Sequence, residues 1–115
     1  MTKISDKQFE QLRCELDACT GAAVSFNAYR DEHDYLVLSV EQRVGDSEAL
    51  GIGFHYCTYI AGPTRWDNAK LLVSMENLGS GETVFVVQDA EADFSVKCHG
   101  PINFAGDSKR VYPRT

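Results

Sequence analysis

Leu50-Gly51-Ile52-Gly53-Phe54-His55-Tyr56-Cys57-Thr58-Tyr59-Ile60 is the stretch whose reading decides the fold. Leu50, Ile52, Phe54, Tyr56, Thr58 and Ile60 fall at alternate positions, which places them on one side of an extended strand, with Gly51, Gly53, His55, Cys57 and Tyr59 on the other. The spacing predicts one long central strand. Its two glycines either allow close packing against that face or mark a bend.

The same period continues on both sides. Upstream, Val24, Phe26 and Ala28 alternate with polar or aromatic neighbours, Asp31-Glu32-His33-Asp34 makes a polar connection, and Leu36, Leu38 and Val40 resume the alternation before a turn at Gly45-Asp46-Ser47. Downstream, Gly62-Pro63-Thr64 interrupts the pattern, Arg65-Trp66-Asp67-Asn68 follows, and Leu71, Val73 and Met75 mark a fourth strand. Residues 83–88 and 94–99 give a fifth and a sixth, joined by an acidic turn at 89–93. None of these gaps holds a helical repeat long enough for a parallel crossover, so the strands form an antiparallel meander.

The only helical pattern lies at the start. Ser5 and Gln8 form a capping box, Ile4 and Phe9 a hydrophobic staple, and Phe9, Leu12, Leu16 and Cys19 recur at helical spacing up to Gly21. A helix over residues 6–19 follows. The fold class is therefore α+β: an N-terminal helix packed on a curved antiparallel meander sheet of about six strands. Residues 1–106 make one domain and residues 107–115 a basic, irregular tail.

Several strands are apolar on both faces. Phe85 and Val87 oppose Val84 and Val86, and Tyr35 and Val37 oppose Leu36 and Leu38. One helix cannot cover both sides of six strands, so either the sheet curls into a partial barrel or a second copy covers it. A homodimer is the expectation taken forward.

At 115 residues the chain has room for one ordinary core, and 43% hydrophobic with 24% charged residues is the balance of a folded domain. The net charge of −6 argues against duplex nucleic acid and anionic membrane as partners, since both are bound by basic surfaces. Residues 1–7 are polar and lack the apolar core of a secretory signal, and no apolar run reaches the ~18 residues that span a bilayer. A cytoplasmic location is expected. In that setting the four cysteines read as reduced thiols, and no C-x-x-C spacing joins them.

The charge is uneven. Residues 1–106 sum to −8 and residues 107–115 to +2, and much of the negative charge sits in turns, at Asp31, Glu32 and Asp34, at Asp46 and Glu48, and at Asp89, Glu91 and Asp93. In a meander the first and third connections share one end of the sheet and the second and fourth the other. Carboxylates displayed in these turns serve solubility and edge protection, or they form a recognition surface for a basic protein partner. Inhibitors, immunity-type proteins and nucleic-acid mimics all present carboxylates in this way. Arg65 and Trp66, in the widest connection, belong to residue types favoured as interface anchors, although Trp66 equally suits the end of a core.

For chemistry, His55, Cys57 and Tyr59 share a strand face with two glycines and so could line a cavity, while Cys98 and His99 are adjacent and point to opposite faces. A zinc site needs three or four convergent ligands, and this spacing does not supply them, so neither metal nor cofactor is expected. A Cys–His nucleophile pair would need an electropositive setting that an acidic body does not offer. The leading expectation is thus a small acidic soluble binding protein acting by protein–protein contact without catalysis. The alternative is a small-molecule or thiol/His-dependent site between helix and sheet, built from His55, Cys57, Tyr59, Cys98 and His99.

Overall fold

The computed structural model describes residues 6–41, 50–77, 79, 83–105 and 110–112. Ile4 and Ser5 of the expected helix start, and the turn at Gly45-Asp46-Ser47, lie outside the described residues. One helix, α1 (Asp6–Asp17), precedes β1 (Ala23–Arg30), β2 (Tyr35–Glu41), β3 (Leu50–Phe54), β4 (Cys57–Ala61), β5 (Arg65–Trp66), β6 (Leu72–Asn77), β7 (Thr83–Asp89), β8 (Phe94–Cys98), β9 (Ile102–Ala105) and β10 (Arg110–Tyr112). The class is α+β, as the alternation predicts, with every strand pair antiparallel. The strands form two open sheets instead of one meander, in the orders β10-β9-β3-β2-β1-β5 and β4-β8-β7-β6.

The division falls inside the stretch read as one strand. β3 stops at Phe54, Tyr56 takes a left-handed backbone conformation (φ 57°), and β4 starts at Cys57 in the other sheet. Backbone hydrogen bonds fix this crossing: the His55 N–H donates to the Pro101 carbonyl, the Tyr56 N–H to His33 and the His99 N–H to Tyr56. Alternation is blind to such a break, because a one-residue kink changes the face without disturbing the spacing of apolar residues.

The two inner faces close on a single core. Val24, Leu36, Leu38, Val40, Ile52, Phe54, Ile102 and Phe104 from the larger sheet meet Phe85, Val87, Phe94, Val96 and Cys98 from the smaller. Leu12 and Leu16 of α1 insert fully into it, each burial stabilising by roughly 1.5–3 kcal/mol. The helix ends at Asp17 and turns through Gly21 (φ 90°), whose N–H donates to the Ala69 carbonyl while the Ala69 N–H donates back to Ala22. This two-bond clasp holds the C-terminal end of α1 next to the segment that leads into β6.

Beyond Pro101, Ile102–Ala105 pairs with β3, and Arg110–Tyr112 pairs with β9 and buries Tyr112. On the outer face of the smaller sheet Lys97 stands opposite Val86 and Glu76 opposite Val84, the Lys97 Nζ–Glu76 Oε2 ion pair (3.2 Å) spans β7, and the two valines are only 7% and 2% exposed.

Candidate binding site

The residues singled out for chemistry are dispersed. His55 stands at the end of β3 on the outer face of the larger sheet, where its ring stacks on Tyr35 (centroids 4.3 Å apart) and its Nε2–H donates to Asn103 Oδ1 (2.9 Å). Cys57, two residues on, lies beyond the crossing in the core, its thiol donating to the Phe54 carbonyl at 3.4 Å. Tyr59 is exposed on the outer face of the smaller sheet, with the Lys97 ammonium 5.9 Å from its ring centre. His99 is exposed at the end of β8, and Cys98, on the opposite face, is fully buried.

Only the two thiols meet. Cys57 and Cys98 are register partners on β4 and β8. Burial pushes the Cys57 thiol up to about 11, and burial followed by the neighbouring Cys57 pushes that of Cys98 higher still. Both are therefore protonated near neutrality, the wrong state for a nucleophile. Among the described residues no three His, Cys, Asp or Glu side chains gather as metal ligands.

The residues singled out for an interface divide. Asp31, Glu32 and Asp34 are exposed at the β1–β2 turn, as are Glu91 and Asp93 at the β7–β8 turn, and Arg65 is exposed on β5. Trp66 and Asp89 are buried partners. The indole N–H donates to Asp89 Oδ2 (2.9 Å), the Lys70 N–H donates to the same oxygen (2.8 Å), and the Ala92 N–H donates to Oδ1 (3.4 Å), while the Trp66 ring packs on Phe94 at 4.6 Å. Asp89 is thus a structural acceptor, and Trp66 seals the end of the core. The two acidic turns also lie at opposite ends of the molecule. Trp66, bonded to Asp89, pairs with Val24 at the start of β1, whereas Asp31 follows its end.

A concave feature of the surface lies elsewhere, between α1 and β6. This groove has a volume of about 700 Å³. Phe9, Arg13 and Cys14 line it from the helix, and Leu72, Val73 and Met75 from the strand. β6 is the last strand of its sheet, and among the described residues nothing pairs with its far side. Leu72 and Met75 are 53% and 46% exposed, which makes them the only aliphatic members of the exposed large apolar side chains among the described residues. None of His55, Cys57, Tyr59, Cys98 and His99, the residues expected between helix and sheet, lines this groove. Met75 carried the available signal, yet its period-two match to Leu71 and Val73 reads as a core position, and an edge strand is not visible in alternation. Among the described residues no helix is long and apolar enough to cross a membrane. Comparison with protein-family models, with curated proteins and with solved structures gives no match.

Proposed function

We propose that this protein is a non-catalytic binding protein that works by contact with another protein, and that the α1–β6 groove is where the contact is made. One observation carries the reading: the groove combines exposed aliphatic side chains with a sheet edge that nothing pairs among the described residues. Exposed apolar surface beside free main-chain hydrogen-bonding groups costs solubility unless a partner covers it. The side chains suited to chemistry support the same reading, because both buried thiols are held protonated and His55 is engaged by Asn103 on a different face. The partner is basic in character, since the groove's helical wall carries Glu10 and Asp17 against Arg13 in a chain of net charge −6.

The test is capture from the native source with the wild-type chain and with a Leu72→Asp, Met75→Asp double variant, followed by purification of the captured protein. A specific partner should bind the double variant at least about tenfold more weakly, as loss of central apolar contacts does. Its association rate should also fall steeply as salt is raised. A partner that binds both chains equally, or with no dependence on salt, contradicts the proposal.

A further inference from the structure

We infer that the occupant of the α1–β6 groove is an extended segment of another polypeptide, with apolar and basic residues in alternation, added to the edge of β6 as a fifth strand. The inference rests on the groove reading above and specifies the chemistry of what binds there.

Three observations on the same few residues select a strand. The groove follows residues 71–75 of the chain, a run of about 13 Å at 3.3 Å per residue, the length of a short strand. Along Leu72-Val73-Ser74-Met75 the edge carries neither charge nor proline, two of the devices that keep a sheet edge from pairing. The next residue, Glu76, is turned across the sheet to Lys97. All six residues of β6 are paired with β7, from Leu72–Gln88 to Asn77–Thr83, so the strand is held extended and in register before any ligand arrives. A helical ligand would cover the apolar side chains but leave the edge N–H and C=O groups without protein partners. A strand satisfies both.

The groove also sets the side-chain pattern. Residues of an added strand point alternately to the two faces of the sheet. On one face they meet Leu72 and Ser74, and on the other Val73 and Met75. The rim beyond is formed by α1, where Arg13 is paired with Glu10 at 2.6 Å and Asp17 adds a second carboxylate. That leaves an excess of negative charge for a lysine or arginine of the incoming segment.

The experiment uses the full chain and a displayed library of random peptides of about seven residues, the length of β6 with a margin. Enriched sequences should alternate apolar residues with lysine or arginine. A synthetic peptide of the enriched sequence should protect the backbone amides of residues 72–77 from hydrogen exchange. N-methylation of the alternate peptide nitrogens that face β6 should weaken binding by about tenfold, the effect of losing one or two hydrogen bonds, while methylation of the other set should change it little. No enrichment, apolar residues at helical spacing, or equal sensitivity to both methylation sets overturns the strand. Protection of β6 that rises with protein concentration and needs no peptide assigns the edge to a second copy instead, which also overturns it. If the Leu72→Asp, Met75→Asp variant loses its partner while the methylation pattern fails, the groove reading stands without the strand. A partner that ignores that variant removes the groove reading itself.

Discussion

Asp89 shows how much one side chain can decide. Its carboxylate, 1% exposed, accepts N–H groups from Trp66, Lys70 and Ala92, and so joins β5, the approach to β6 and the β7–β8 turn. Replacing Trp66 by Phe keeps the ring on Phe94 but removes one of these donors. Trp66→Phe should cost about 1–3 kcal/mol in denaturant unfolding followed by circular dichroism, and a neutral result would mean that the indole N–H is not needed. The thiols set a second prediction. Cys57 is held up to about 11 by burial, whereas an unfolded thiol ionises near pH ~8.5, so the folded state keeps its proton where the unfolded state has lost it. The unfolded state then binds fewer protons, and stability falls with rising pH. The contribution is fully present below the unfolded value and is lost between about pH 8.5 and 11. Cys57→Ala should flatten the alkaline part of the stability curve, and an unchanged slope would contradict the assignment.

At the scale of elements, the sequence is read correctly wherever period and turn agree. α1 with its buried Leu12 and Leu16, the β1–β2 pair and the β7–β8 pair were all legible from spacing. Breaks that leave the spacing intact were not. The crossing at His55 and Tyr56 splits an unbroken alternation, and it separates His55 from Cys57, which two-residue spacing had placed together. The glycines of β3 divide in a way that spacing alone does not reveal. A Cβ on Gly53 would lie 2.5 Å from the Tyr35 hydroxyl and 2.6 Å from Asn103 Oδ1, whereas on Gly51 the nearest atoms are 3.9 Å away. Tyr35 and Asn103 meet that Cβ with the ends of their side chains, so Gly53→Ala should be accommodated by disturbing the His55–Asn103 bond, at about 1–2 kcal/mol. Gly51→Ala should be neutral or stabilising by up to about 1 kcal/mol through the loss of backbone freedom in the unfolded chain. Thermal or chemical unfolding of the two variants checks the order, and the reverse order would contradict the close cover of Gly53.

Across the whole molecule, the α+β class and the antiparallel pairing follow from the absence of crossover helices, but the number of sheets depends on contacts that no local pattern encodes. A single sheet with two apolar faces called for a barrel or a second copy. Two sheets sharing a core bury the inner face of each within one chain. The turns holding Asp31 and Asp93 project from opposite ends. The α1–β6 groove is concave, carries exposed apolar side chains and follows a strand edge that nothing pairs among the described residues, and the functional proposal stands on it. The most direct measurement is backbone hydrogen exchange across the full chain, with and without a captured partner at saturation. The account predicts protection concentrated in residues 72–77 and along residues 9–17 of the helix wall. Protection confined to the acidic turns, with β6 exchanging as in the free protein, would contradict it.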